Sequence, residues 1–447
     1  MRTNIFRVVT LLFLMSTLAS CKKDFLDIVP KGRRVAQTTE DYNLLMNANT
    51  LYFYNGNSGW QLPVVMGDEL NAEAQFFNTV PAQFQRAFRW EAEIYERNNS
   101  TYDLTPFLQN LYVCNKVINE VQESEGGTDQ QKAVLRAEAQ ATRAWLYFQF
   151  INFYAKPYRT PDAASDPGFP IIREADIAQK TYTRSSVQEV YDFIITDLMA
   201  AIPNLPVKVT IRTRMSQPAA QGLLGKVYLF MGRSAEAIPH LAAALQSINT
   251  ASGQARLFNY NVELAAGGSF LPISPVTGPA GPGNNFDNLT ESVVSKVFYN
   301  GSFNGSYGNA GLVLDPSTVA LYGTNDLRLK FYAALTPNGT ANPSGRLRKN
   351  SVQYSRMGLE LADLYLISAE CKARTNDLGG SKADLETLRR ARMPAADAVV
   401  PAPIAGDQEA LIKFIVDERI REFAMEGYRW FDMRRLSLDP IFSGRVH

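Results

Sequence analysis

SQPAAQGLLGKVYLFMGRSAEAIPHLAAALQSI, residues 216–248, reads as two helices broken at Gly232. Leu224, Gly225 and Tyr228 belong to the first, and Ala237, Leu241 and Ala244 to the second. Steps of three and four place such residues on one helical face. Because several of them are small, two antiparallel helices can interlock there.

The pattern extends outward from this pair. Ala137, Ala141, Ala144, Phe148 and Ile151 form one face of a helix over 131–154. Ser186 and Glu189 have capping-box spacing at the head of a helix over 185–202. Its stripe is Val187, Val190, Tyr191, Ile194, Ile195 and Leu198, and Pro203 and Pro206 follow its end. Residues 359–392 repeat the pair, with Ala369 and Ala383 as small contacts and Asn376 to Gly380 as the turn. A last helix over 408–426 turns Ile412, Val416, Ile420 and Phe423 inward. Both 216–248 and 359–392 follow the tetratricopeptide pattern, the second with a longer turn.

Between these helices the period disappears. Residues 47–106 mix aromatics with Asn, Gly and Pro, and residues 267–283 hold nine Gly or Pro. Residues 293–350 mix short β-like stretches with Gly and Asn turns. The expected fold is all-α, with tetratricopeptide-like helix pairs forming a scaffold, a loop-rich region and minor β content. One domain would run over 21–447, with the scaffold at about 107–250 and 355–435 and the loops at about 40–106 and 251–354.

Composition narrows the chemistry. Among 447 residues, 45 Lys+Arg nearly balance 44 Asp+Glu, for a net charge of +1. A nucleic-acid binder would carry a basic surplus. Two histidines, His240 and His447, and three cysteines, Cys21, Cys114 and Cys371, argue against a zinc site, a His-based hydrolase or a disulfide scaffold. No cofactor is expected, and Cys114 and Cys371 read as buried free thiols. The 20 Tyr, 25 Phe and 4 Trp exceed what a core alone calls for.

Arg2 and Arg7 precede an uncharged apolar run, Val8 to Leu18, that has the length of a signal-peptide core. Leu18-Ala19-Ser20-Cys21 then resembles the bacterial lipobox. Residues 1–20 are therefore expected to be a lipoprotein signal peptide, with Cys21 acylated and the protein held to outer-membrane lipid. Lys22 and Lys23, in place of an inner-membrane retention Asp, favour that membrane.

Four segments resemble the SusD/RagB family. They are CKKDFLD at 21–27, LRAEAQATRAWLYFQFINFYAKPY at 135–158, the pair at 216–248, and ERIREFAMEGYRWFDMRR at 418–435. The resemblance implies a non-enzymatic surface lipoprotein of Bacteroidota. Such a protein captures oligosaccharide, or in some members peptide, and delivers it to a SusC-like TonB-dependent transporter. Family members usually run on to a tail with an NP element, whereas this sequence gives twelve residues after Arg435.

The charges of 418–435 read as a structural ion network, and Trp145 and Trp430 as structural. Sugars need an apolar platform with hydroxyl partners beside it. Tyr54, Asn57 and Trp60 supply both within a few residues, with Trp90 opposite and Asp68 as a hydroxyl partner. Tyr299, Phe303 and Tyr307 form a second strip. Three other readings stand beside glycan capture. A peptide site would offer backbone partners along a groove, a surface glycoside hydrolase would need two carboxylates in one cleft, and a pure helical scaffold would have no aromatic cleft.

Overall fold

Among the described residues, three helices begin at capping boxes, each made by one polar side chain and an acceptor three residues on. Thr38 pairs with Asp41, Thr128 with Gln131 and Ser186 with Glu189. At the third, Glu189 N donates to Ser186 Oγ at 3.2 Å, and Glu189 Oε2 accepts from Ser186 N at 2.7 Å. Two otherwise orphaned amide donors are satisfied at each start.

The computed structural model describes residues 35–444, apart from 56–59, 99–103, 160, 252, 300–310 and 351–352. The expected signal peptide, Cys21, Asn57, Phe303 and Tyr307 lie outside the described residues. The longer helices are α1 (Thr39–Met46), α2 (Thr105–Glu120), α3 (Asp129–Tyr154), α4 (Val187–Ala201), α5 (Gln217–Phe230), α6 (Ser234–Thr250), α7 (Leu361–Arg374), α8 (Leu378–Arg390), α9 (Gln408–Phe423) and α10 (Tyr428–Leu436). From α2 to α8, each packs on the next in chain order. The all-α scaffold is thus present, with only short strands beside it.

The α5–α6 contact depends on the absence of a side chain. A Cβ on Gly225 would sit 2.5 Å from Leu241 Cδ2, so only glycine admits the leucine. Gly232 (φ +73°) reverses the chain between α5 and α6, and Asn376 (φ +65°) does so between α7 and α8. In α8 the expected contact at Ala383 is corrected, because Ala383 is exposed while Ser381, Leu385 and Leu388 are buried. Those three lie four and three residues apart, and a residue two positions from Ser381 turns to the opposite side.

Buried charges join the helices. Arg143 on α3 donates to both carboxylate oxygens of Asp197 on α4, at 2.8 and 2.9 Å, and to Asn115 Oδ1 on α2 at 2.8 Å. The charges of 418–435 form a larger network. Glu418 accepts from Arg328 at 2.6 Å, Arg389 at 2.5 Å and Arg421 at 2.6 Å. Arg419 bridges Asp363 at 2.7 Å and Asp432 at 2.8 Å, and Arg435 pairs with Glu370 at 2.7 Å. Burial alone would raise the pKa of Glu418, but Arg328, Arg421 and Arg389 overcome it and hold the carboxyl at about 2. Glu370 is likewise held at about 2 by Arg435 and Arg374 against the pull of burial.

The strands are β1 (Phe53–Asn55), β2 (Leu70–Ala72), β3 (Ser292–Val294), β4 (Val297–Tyr299), β5 (Leu312–Leu314), β6 (Tyr332–Ala333), β7 (Arg348–Lys349), β8 (Tyr354–Arg356) and β9 (Leu359–Glu360). β1, β4 and β8 make a three-stranded sheet in that order, with β1 parallel to β4 and β4 antiparallel to β8. The other strands form two-stranded ladders. Cys114 and Cys371 are free, buried thiols. His240 is half-buried, with Nδ1 2.6 Å from Gln221 Oε1 and its ring stacked on Tyr228.

Candidate functional site: an aromatic sheet face

Strand alternation divides the three-stranded sheet into an inner and an outer face. Tyr54, Phe298 and Ser355 point inward and are buried. The Tyr54 ring stacks on Phe107 at 5.0 Å and meets Trp145 at 5.9 Å, and its hydroxyl accepts from Asn110 Nδ2 at 2.9 Å. Tyr54 is therefore a core residue, which corrects its assignment to a ligand platform. A ring closed on both sides has no surface left for a sugar.

The outer face carries Phe53, Tyr299 and Tyr354, one from each strand, and Phe286 packs against them from the loop before β3. All four are half-buried. Tyr299 and Tyr354 are direct cross-strand partners with ring centroids 5.4 Å apart. Phe286 lies 5.6 Å from Phe53 and 5.8 Å from Tyr354. Among the described residues neither the Tyr299 nor the Tyr354 hydroxyl has a hydrogen-bond partner. The arrangement is a contiguous, partly open surface of rings with two free phenol groups. A flat apolar ring face beside unclaimed hydroxyls suits a ligand that has C–H faces and hydroxyls of its own.

The remaining sequence candidates separate widely. Trp60 is 3% exposed. Its Nε1 donates to Glu426 O at 2.9 Å, and its ring lies 5.4 Å from Phe431 and 5.9 Å from Tyr428. Trp60 is corrected from a stacking residue to an anchor that fixes its loop to the C-terminal segment. The seat is Gly427, at φ +91°, where a Cβ would come within 3.0 Å of Trp60 Nε1. Asp68 is also reassigned, because Arg429 donates to both of its carboxylate oxygens, from Nε at 2.5 Å and from Nη2 at 2.8 Å. Its neighbour Glu69 is buried, and burial lifts that carboxyl to about 7.

Trp90 is 41% exposed, at φ +52°, with Nε1 donating to Met66 O at 3.0 Å. Its ring faces the half-buried Trp430 at 6.1 Å rather than Trp60. Of the named candidates within the described residues, only Tyr299 falls on the sheet face. Phe53, Phe286 and Tyr354 were missed. Alternation within FYN at 53–55 and QYSR at 353–356 was the available signal, since it separates Phe53 from Tyr54 and Tyr354 from Ser355.

Two family models match the chain. One, SusD-like and described as "Starch-binding associating with outer membrane", covers residues 24–229. The other, described as "SusD family", covers residues 336–439. Comparison with curated proteins gives no match. A putative sugar binding protein from Bacteroides vulgatus ATCC 8482 is similar at 19% identity and TM-score 0.66, over 90% of this chain and 88% of that one. A SusD superfamily protein from Bacteroides thetaiotaomicron VPI-5482 aligns at 18% identity and TM-score 0.69, over 89% of both chains. A SusD-like carbohydrate binding protein from Bacteroides vulgatus ATCC 8482 aligns at 18% identity and TM-score 0.66, over 89% of this chain and 83% of that one. At these identities the structures establish a shared fold.

Proposed function

The chain belongs to the SusD/RagB family, and from that premise we propose that it is a non-catalytic glycan-binding lipoprotein of the cell surface. It captures oligosaccharide on the outer face of the three-stranded sheet and hands it to a SusC-like TonB-dependent transporter. Acylation at Cys21 would hold it to the outer membrane. The observation that carries the binding role is the half-open cluster of Phe53, Phe286, Tyr299 and Tyr354, backed by a rigid helical core. Support from the core means that few side chains have to be ordered on binding. The adjacent carboxylates Asp68 and Glu69 do not serve the hydrolase alternative, because Asp68 is committed to Arg429 and Glu69 is buried.

The test is calorimetric titration of wild type and Tyr354→Ala with neutral oligosaccharides, beginning with maltoheptaose. Removing one stacking ring should weaken binding by about 1–3 kcal/mol without a large fall in melting temperature. Unchanged affinity in Tyr354→Ala together with a loss in Trp90→Ala would move the site to the Trp90–Trp430 pair. Binding of extended peptides and of no sugar would replace glycan by peptide.

A further inference from the structure

A cavity of about 90 Å³ adjoins the aromatic face. Tyr354 belongs to both, and Tyr260, Glu291, Arg356, Glu360 and Glu426 line the rest of the cavity that matters here. Arg356 follows Tyr354 by two positions on β8 and is only 8% exposed. Its Nη2 donates to Asn285 O at 2.8 Å and to Pro282 O at 3.3 Å, just before Phe286. Its Nη1 is buried without a partner. Native structures rarely bury a donor without an acceptor, so such a group calls for an explanation.

The carboxyls around it differ in how far they are committed. Glu291 accepts from Arg392 at 2.9 Å and from Phe258 N at 2.6 Å, and Glu426 accepts from Lys349 at 2.5 Å. The Glu360 side chain accepts from Ser292 Oγ at 2.8 Å and bonds no cation. Burial raises that carboxyl to about 7, with Arg356 pulling it down in part. The cavity wall thus includes a residue with one unpartnered donor and a carboxyl that no cation holds among the described residues, beside an aromatic ring. Its volume suits roughly three waters or one small substituent. A carboxylate entering it would meet four carboxyls, Glu291, Glu360, Glu426 and the Arg392-paired Glu422. An ammonium would add charge beside Arg356 and leave Nη1 still unpaired.

We propose that this niche receives a neutral hydrogen-bonding substituent, hydroxymethyl or acetamido, from a pyranose lying against Tyr354. The substituent's oxygen accepts from Arg356 Nη1, and the site thereby selects neutral sugars over uronic acids. The inference rests on the aromatic face being a glycan site.

The experiment titrates wild type, Arg356→Met and Glu360→Gln with maltoheptaose, chitohexaose and hexagalacturonate, with a thermal melt of each protein. Maltoheptaose carries hydroxymethyl alone and chitohexaose both groups, so binding of maltoheptaose assigns hydroxymethyl and binding of chitohexaose alone assigns acetamido. Wild type should bind at least one of them and reject hexagalacturonate. Arg356→Met should lose about tenfold or more in affinity for the neutral probe, the worth of one hydrogen bond from a charged donor. At about pH 8.5, where the Glu360 carboxyl is ionised, Glu360→Gln should keep neutral affinity within about threefold and gain affinity for hexagalacturonate, since one repelling charge is removed. A folded Arg356→Met that binds like wild type, or a wild type that prefers hexagalacturonate, overturns the niche while leaving the aromatic face standing. Should Arg356→Met not fold, Glu360→Gln decides, and an unchanged hexagalacturonate response refutes the proposal. If wild type binds none of the three, the glycan reading of the face fails and takes the niche with it.

Discussion

The C-terminal helices and the outer sheet face use the same kinds of residue, arginines, glutamates and aromatic rings, and treat them in opposite ways. Around α9 and α10 nearly all of the charged groups are paired, with Arg434 Nη1 the buried exception among the described residues. Glu418 has three guanidinium partners, Arg419 and Arg435 each bridge two carboxylates, and Trp60 is sealed between Phe431, Tyr428 and Gly427. Around β8 the interactions stay open. Among the described residues, the Tyr299 and Tyr354 hydroxyls and Arg356 Nη1 have no partner, and Glu360 has no bonded cation. Saturated groups stabilise a fold, and unsaturated ones leave affinity for a ligand to supply.

The strongest way to break this contrast is to cut the closed side. Glu418→Ala leaves Arg328, Arg389 and Arg421 around an emptied position. Stranding buried charge in this way should cost about 3–5 kcal/mol, read as a lower denaturation midpoint. Trp60→Ala should cost a similar amount, about 3–5 kcal/mol, by opening a cavity and orphaning Glu426 O. Neither variant should change the affinity of the folded fraction for a glycan. A Trp60→Ala protein of normal stability that had lost binding would return Trp60 to the site.

The pH dependence of stability separates the two regions next. Glu370 and Glu418 titrate near 2 in the fold against an ordinary 4.5. Between those values the unfolded chain binds more protons, so their stabilisation, complete above about 4.5, is lost as pH falls through 2. Glu360 and Glu69 titrate near 7 in the fold, and there the folded chain binds more protons. Their contribution is complete below about 4.5 and is lost as pH rises through 7. Glu360→Gln should therefore flatten the decline between about pH 5 and 7 and leave the acid limb unchanged, as followed by chemical melts across that range. Equal flattening of both limbs would mean that the two regions titrate together.

How legible each region was in the sequence follows from the range of its contacts. Local signals were enough for the scaffold. The Ser186–Glu189 box and the break at Gly232 act within a few residues, Gly225 meets Leu241 on the adjoining helix, and all three read correctly. The error at Ala383 was one of helical phase, since the buried stripe on α8 begins at Ser381. The site was harder because β1, β4 and β8 come from distant parts of the chain. Composition marked 52–60 as aromatic, but the face each ring occupies depends on strand pairing and on partners far away. Trp60 bonds a carbonyl 366 positions on. Tyr299 was found because it sits beside a Gly- and Asn-rich stretch. Tyr354 was not, because its place opposite Tyr299 exists only after the sheet forms.

Trp90 gives the smallest expected effect and the sharpest discrimination. It comes from the same irregular stretch as Trp60 yet stays largely open, in a left-handed conformation that a bulky side chain adopts at a cost of about 1–2 kcal/mol. What holds it there is the bond from Nε1 to Met66 O and the contact with Trp430. Trp90→Gly removes both supports and also removes the conformational cost, since glycine accepts positive φ freely. The two changes oppose each other, and net stability should move by less than about 1 kcal/mol in a denaturant melt. If the aromatic sheet face is the glycan site, affinity for the neutral probe should change by less than about twofold in this variant, against the tenfold or larger loss expected on that face. A tenfold loss in Trp90→Gly at unchanged stability would show that the strained indole is held open for the ligand, and the open region would then have to include the Trp90–Trp430 pair.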